Sequence, residues 1–312
     1  MKHTHTEGPG SILKSRLARG LFPLVAALLA FALAAPEVRA AVPADFAKKI
    51  TLTPSETARA KIGESTFENF PVLVRLPAEV SDQLRSANGT DLFFTDENDA
   101  VLSYEVDTYN SAGETLVWVN VPSLSSATEL TAYFGGAANV DNDPTAVWSR
   151  YAVVVHGGDS LVNAVVDGPT VTAGSTDVMS HSEAGRIGGG IRKSSRKSIG
   201  VNVANPSSKL GNDGKFSVSA WFKRDGNGGN QDNGTHILGA SRPGWNTGTG
   251  FLLLQEQGKY ISIAAAGSHQ WSSGSYALAD GVWGHVAFAY ESGVSLTSYF
   301  NGRWWYIRCI YP

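Results

Sequence analysis

The segment Thr115-Leu116-Val117-Trp118-Val119-Asn120-Val121-Pro122 decides the fold. On an extended chain Val117, Val119 and Val121 share one face, and Leu116 and Trp118 share the other, because side chains alternate along a strand. Working outward, Phe70-Pro71-Val72-Leu73-Val74-Arg75-Leu76-Pro77 repeats the pattern with Val72, Val74 and Leu76, and Leu130, Ala132 and Phe134 alternate again. Asn88-Gly89-Thr90-Asp91, Asp96-Glu97-Asn98-Asp99 and Ser111-Ala112-Gly113-Glu114 separate these runs with turn chemistry. Short strands at ~8–12-residue spacing predict a sandwich or barrel. Only 79–87 reads as helical, for about two turns.

Composition agrees. Charged residues make up 17% of the 312, and there are 34 glycines, against a usual ~25% charged and ~7% glycine. With 42% hydrophobic residues the chain is able to bury a core, which excludes wholesale disorder. The Ala/Glu/Lys/Leu/Arg richness of a coiled coil or helical array is missing. Lys+Arg 25 against Asp+Glu 28 gives a net charge of −3, which argues against a chain built to coat phosphate backbones. Cys309 is the single cysteine, so neither an intrachain disulfide nor a cysteine metal site is expected.

Lys14, Arg16 and Arg19 precede an apolar run over 21–35, and Pro36-Glu37-Val38-Arg39-Ala40-Ala41 follows with small residues at a cleavage-like position. This is the order of a secretory signal, and the run falls short of the ~20 apolar residues of a spanning helix. Residues 1–40 are therefore read as a signal peptide, with cleavage after Ala40 and export of the remainder. That removes five basic and two acidic residues, leaving 20 against 26, net −6. No stable membrane insertion of the mature chain is expected. The alternative is an uncleaved N-terminal anchor.

Past 147 the strand pattern resumes. Phe216-Ser217-Val218-Ser219-Ala220-Trp221-Phe222-Lys223, His236-Ile237-Leu238-Gly239, Phe251-Leu252-Leu253-Leu254 and Tyr260-Ile261-Ser262-Ile263 read as strands. Asp280-Gly281-Val282-Trp283-Gly284-His285-Val286-Ala287-Phe288-Ala289-Tyr290 comes next, then 296–300 and an Asn301-Gly302 hairpin turn. Trp221 and Trp283, being in strands, are assigned to the core.

Two resemblances rest on these residues. Asn69-Phe70-Pro71-Val72-Leu73-Val74, Gly89-Thr90-Asp91-Leu92-Phe93-Phe94, Leu102-Ser103-Tyr104-Glu105-Val106-Asp107, Thr115–Pro122 and Tyr133-Phe134-Gly135-Gly136-Ala137 resemble, in order, the bacterial family DUF2341. That family has no established biochemical role, and it occurs in exported or cell-surface proteins beside sugar-binding-type sandwiches. The W-x-H-V strand at Trp283 with its Asn-Gly turn resembles the laminin-G-like, concanavalin-type jelly roll, as do the Gly-rich stretches at 156–161 and 185–190. The resemblances imply an all-β chain: a small β-sandwich over 41–147, then a concanavalin-type (laminin-G-like) jelly roll over 148–312. After Gly302 the sequence Arg303-Trp304-Trp305-Tyr306-Ile307-Arg308-Cys309-Ile310-Tyr311-Pro312 departs from the family pattern. The expectation is a jelly roll cut short, with 303–312 aberrant. The alternative is a divergent final strand with Trp305, Ile307 and Cys309 facing inward.

Catalytic signatures are scarce. Glucanases of this sandwich class use carboxylates ~5–5.5 Å apart on one strand face, and the nearest pattern is Glu105-Val106-Asp107-Thr108-Tyr109, in the other module and lacking a third acid. There is no G-x-S-x-G elbow, no phosphate loop after Gly188-Gly189-Gly190 and no H-E-x-x-H. His156 and His181 have no histidine at i+2 or i+4, which leaves zinc unsupported. His285 reads as a packed strand residue with a backbone partner. No enzyme activity is expected.

Binding chemistry is better represented. Trp245-Asn246 and His269-Gln270-Trp271 sit in Gly/Ser-rich loops, where exposed aromatics suit stacking on sugar rings. Trp245, Asn246 and Trp271 are the candidate ligand-binding residues. The loop Asp225-Gly226-Asn227-Gly228-Gly229-Asn230-Gln231-Asp232-Asn233-Gly234 groups carboxylates and amides suited to Ca²⁺, which takes 6–8 oxygen ligands. Asp225 and Asp232 are the candidate calcium ligands, and Asp159 is another. Arg192, Lys193, Arg196 and Lys197 form a basic run of the kind that binds polyanions or simply faces solvent. The resulting expectation is an exported, non-catalytic binding or adhesion protein at the cell surface, recognising a glycan or an extracellular protein and no nucleic acid. The alternative is the exterior part of a larger envelope complex, because proteins resembling this arrangement continue into a proton-channel segment of the ExbB/TolQ type.

Overall fold

The computed structural model describes residues 46, 48–136, 140–158, 161–173, 179–193, 201–203, 215–223, 235–240, 251–256, 260–265, 279–291 and 294–308. All of them lie in one unit, Arg39–Pro312. Every described strand pairing is antiparallel. Among the described residues no helix is long and apolar enough to cross a membrane.

The first module contains β1 (Lys48–Leu52), α1 (Glu56–Ile62), β2 (Phe67–Leu76), α2 (Ala78–Ser81), β3 (Leu92–Thr95), β4 (Val101–Leu102), β5 (Tyr104–Thr108), β6 (Thr115–Leu124) and β7 (Leu130–Phe134). Two sheets result, with strand orders β1-β7-β3-β4 and β2-β6-β5. The alternation read from the sequence sets their inner faces. Val117, Val119 and Val121 of β6, Val74 and Leu76 of β2, and Leu130, Ala132 and Phe134 of β7 are buried in one core cluster with Leu92, Phe94 and Tyr104. Phe93 faces the other way and is buried too, against Phe46 and Tyr133 at ring separations of 6.2 and 5.9 Å.

Tyr104 ties the core to its turn. Its hydroxyl sits 2.6 Å from both the Gly89 and Leu92 carbonyl oxygens. Burial and then the nearby Asp91 charge push its ionisation well above the ordinary tyrosine value.

Helix content differs from expectation. Over 79–87 only α2 forms, and Arg85 instead donates its backbone N–H to Asp91 Oδ2 at 2.6 Å. That side-chain acceptor offers the backbone an alternative to helical bonding. α1 was not foreseen. Ser55 caps it, its hydroxyl accepting from the Ala58 N–H at 3.2 Å, and none of its residues is buried. A seven-residue helix that packs Ile62 against the core and leaves most of its other residues exposed has no apolar stripe to betray it.

The second module contains β8 (Val171–Ala173), β9 (Met179–Ala184), β10 (Gly189–Lys193), β11 (Val201–Val203), β12 (Lys215–Lys223), β13 (Thr235–Ala240), β14 (Phe251–Glu256), β15 (Tyr260–Ala265), β16 (Trp283–Glu291), β17 (Ser295–Phe300) and β18 (Arg303–Arg308). Its sheets are β12-β16-β17-β18, β13-β14-β15 and the two-stranded pairs β10-β9 and β11-β8. Val286, Phe288 and Tyr290 of β16 are buried opposite Phe300, Ser298 and Leu296 of β17. Phe216 joins them, with its ring 5.8 Å from Phe288 and 5.4 Å from Tyr290.

Past Gly302 the described chain continues as a strand, the form of the alternative reading, while 309–312 lie outside the described residues. Residues 303–308 form β18, in full register with β17 from Phe300↔Arg303 to Ser295↔Arg308. Asn301 and Gly302 both take positive φ, 48° and 75°, as the tight turn requires.

Candidate functional site

β5 places Glu105 and Asp107 on one face, two residues apart, and the register pairs Glu105 with Trp118 of β6. A third segment completes the group. Asn142 binds the Tyr104 backbone at both ends, accepting from its N–H at 3.0 Å and donating to its carbonyl at 2.7 Å. This side chain stands in for a neighbouring strand and fixes the chain leaving β7 beside β5. The Pro144–Trp148 3-10 turn follows, capped by Asp143, whose carboxylate accepts from the Thr145 N–H at 3.0 Å. The turn delivers Trp148 and then His156 to the two carboxylates.

His156 Nδ1 lies 3.1 Å from Asp107 Oδ2, and its buried Nε2 lies 3.4 Å from Glu105 Oε2 without an aligned hydrogen bond. Trp118 donates its indole N–H to Asp107 Oδ2 at 3.1 Å, Thr108 donates its hydroxyl to Asp107 Oδ1 at 2.8 Å, and Trp148 donates to Glu105. The Trp148 and Trp118 rings lie 5.5 and 6.4 Å from the imidazole. Burial alone disfavours the imidazolium. The hydrogen bond to Asp107 and the pairing with Glu105 outweigh it and hold His156 at about 9. For Asp107, burial pushes the carboxyl up, but the bonds and charge of His156, then Trp118 and Thr108, bring it below its ordinary value.

Glycines close the group from the far side. Gly188, at φ 55°, lies so near that a Cβ on it would stand 1.9 Å from Asp107 Oδ1. Gly157 bridges Gly189, and a Cβ on Gly157 would stand 2.2 Å from the Gly190 N. The Gly-rich stretches at 156–158 and 185–190 therefore pack backbone against backbone, on the carboxylate strand. At neutral pH the imidazole is protonated, and both nitrogens face carboxylates. The arrangement ties the chain past 155 to the first module through His156 and the two β5 carboxylates.

The sequence did not single out this cluster. Along the chain Glu105-Val106-Asp107 reads only as a weak carboxylate pattern, and His156 as a lone histidine at the head of a Gly-rich stretch. The β5 alternation was the one local signal.

Trp245, Asn246, Trp271, Asp225, Asp232, Asp159 and Cys309 lie outside the described residues. Among the described residues no group of three or more His, Cys, Asp or Glu is arranged to hold a metal ion. His285 is a half-buried strand residue, as expected. Its N–H donates to Asn301 Oδ1 at 2.8 Å, and its carbonyl accepts from the Asn301 N–H at 2.9 Å.

The core assignment of Trp221 and Trp283 is corrected. Trp221 is 41% exposed, and Trp283 is half-buried. Gly284, Val286, Phe288 and Tyr290 take the inner face of β16, so Trp283 and His285 face outward, and Trp221 pairs with His285.

Modules of antiparallel sheets joined by a charged clasp define a multi-module β protein. Residues 88–155 match the family described as domain of unknown function (DUF2341). Residues 194–304 match the concanavalin A-like lectin/glucanases superfamily. The chain thus carries a DUF2341 module followed by a concanavalin-like, laminin-G-like sandwich, in the order read from its motifs. No curated protein and no solved structure matches the chain.

Proposed function

We propose that this protein is an exported, non-catalytic binding protein that recognises a carbohydrate or another protein at the cell surface. The observation that carries this reading is the match of 194–304 to the concanavalin A-like lectin/glucanases superfamily. The non-catalytic half is supported by the state of Glu105 and Asp107. Their oxygens are engaged by His156, Trp118, Trp148 and Thr108, whereas a retaining hydrolase keeps two carboxyls free to flank a sugar. Calcium in the 225–234 loop, through Asp225 and Asp232, belongs to the same proposal.

Binding of the full chain to an array of glycans and extracellular proteins, with calcium and with chelator, tests the reading. Selective capture of a glycan class or protein is expected, without hydrolysis of any bound glycan. Reducing ends released from a captured polysaccharide would refute the non-catalytic part. Recovery of the protein only in the cytoplasmic fraction would refute export.

A further inference from the structure

The outer face of the β12-β16-β17-β18 sheet is aromatic and cationic at one end. Trp221 is 41% exposed and Tyr299 37%. Trp283 and His285 stand between them on β16, and the register places Tyr299 beside Ala287, one step along from His285.

Each tryptophan carries a cation. The Arg186 guanidinium lies 5.5 Å from the Trp221 ring centre, and Lys223 Nζ lies 5.1 Å from that of Trp283. The His285 ring is 5.0 Å from Trp221 on the same face. A third cation, Lys61, comes from α1 and stands beside the Asn301-Gly302 turn, where a Cβ on Gly302 would meet its Nζ at 2.7 Å.

Arg186 and Lys223 are exposed and form no ion pair with any described residue. At the other end of the face the sheet pairs its charges, Lys215 with Glu291 at 2.6 Å. Between Ser219 and Lys223 on β12 and between Trp283 and Ala287 on β16 there is no carboxylate. Long cationic side chains ordinarily lose rotamer freedom when they bind an anion. Cations already seated on aromatic rings have given up part of that freedom beforehand. The rings thus hold two positive groups in place with no carboxylate of the described residues paired to them.

We propose that this face, at Arg186, Trp221, Lys223, Trp283 and Tyr299, binds an acidic saccharide, whose carboxylate or sulfate groups meet the two ring-held cations. The inference rests on the carbohydrate reading above and narrows it to anionic sugars at one place. Carboxylate and sulfate both form paired hydrogen bonds with a guanidinium, and the exposed edges of Trp221 and Tyr299 offer apolar contact to the sugar ring. A nucleic acid fits less well. The chain carries a net charge of −3, and isolated cations on a sheet face do not form a backbone-tracking groove.

The test is calorimetric titration of the full chain with a short heparin oligosaccharide, a short oligogalacturonate, a neutral cello-oligosaccharide of the same length, an acidic peptide and a single-stranded oligonucleotide. One or both acidic saccharides should bind, and the neutral one should not. Arg186→Gln with Lys223→Gln should weaken that binding by about tenfold or more and flatten its salt dependence. Arg186→Lys with Lys223→Arg, which keeps both charges but moves the guanidinium, should retain more of the affinity than the glutamine pair. The sulfated and the carboxylated arms separate the two anion sources.

The proposal is overturned if acidic sugars bind no better than the neutral one, or if the peptide or oligonucleotide binds as tightly. It is also overturned if the glutamine pair leaves affinity unchanged, or if the charge-preserving pair is equally weak. Capture of a neutral glycan or a protein, unaffected by either pair, would sink this face while leaving the proposed function standing. A wild-type chain that captures no glycan and no protein would sink both.

Discussion

Raising the pH from 6 to 10 should loosen the clasp between β5 and the chain past 155, because that clasp depends on a protonated imidazole. His156 is held at about 9 against an ordinary 6.5. Its contribution to stability is therefore fully present below 6.5 and lost as pH rises through about 9. At ~1.4 kcal/mol for each pH unit of that gap, the ceiling is about 3 kcal/mol. The imidazole and the Glu105 side chain are 26% and 23% exposed, so solvent screening should reduce the observed loss to about 1–2 kcal/mol. Asp107 acts in the opposite direction on the acid side. With its carboxyl below the ordinary 3.8, its contribution is present above that value and lost as pH falls through the lower, folded one. The junction should thus be steadiest between about 4 and 6.5.

Urea unfolding of the full chain at pH 6, 8 and 10, read by tryptophan fluorescence, measures the slope. His156→Gln removes the titrating group and should flatten the alkaline limb relative to wild type. Other groups that titrate near pH 10 cancel in the comparison. A ring-carbon NMR titration, with the His156 signal assigned by its absence in the variant, should give a midpoint near 9. Parallel pH profiles for the two proteins, or a ring that titrates near 6.5, would refute the reasoning.

Gly188→Ala should break the same junction from the other side. Its Cβ would stand 1.9 Å from Asp107 Oδ1 and 2.7 Å from Thr108 Oγ1, and the αL backbone adds about 1–2 kcal/mol. Faster proteolysis between 156 and 193 and a His156 midpoint moved down toward 6.5 are the expected signs. Tyr104→Phe leaves the hydroxyl's site between the Gly89 and Leu92 carbonyls empty and should destabilise the first module by about 1–3 kcal/mol in urea unfolding; an unchanged midpoint would count against the role given to that hydroxyl. If calcium binds the 225–234 loop, a hundredfold excess over Kd adds about 2.7 kcal/mol and should raise the melting temperature by several degrees over chelator. Identical melts, or a shift that survives Asp225→Ala with Asp232→Ala, would remove calcium from the proposal.

Much of this fold was legible along the chain. Val117, Val119 and Val121 were read onto one face from their spacing alone, and they are buried together in the core of the first module. The same holds for Leu130, Ala132 and Phe134. Alternation is a property of consecutive residues on an extended backbone, so no knowledge of distant contacts is needed to see it. The Asn301-Gly302 turn was equally local, because the positive φ it requires is tolerated by few residue types.

Where both faces of a strand carry apolar residues, alternation says that two faces exist without saying which one is inside. In β16, Trp283, Ala287 and Ala289 compete with Val286, Phe288 and Tyr290. The choice fell to pairing with β17, which aligns Leu296 and Phe300 with the second set and leaves Trp221 on the open side. The clasp lay further from local view. Asp107 and His156 are 49 residues apart in the chain. Their meeting depends on Asn142 holding the Tyr104 backbone, on the Pro144–Trp148 turn, and on glycines able to approach where any Cβ would collide. Sequence spacing carries the period of a strand. Which remote segments close on one another is settled by packing and buried charge, and those act only after the chain has folded back on itself.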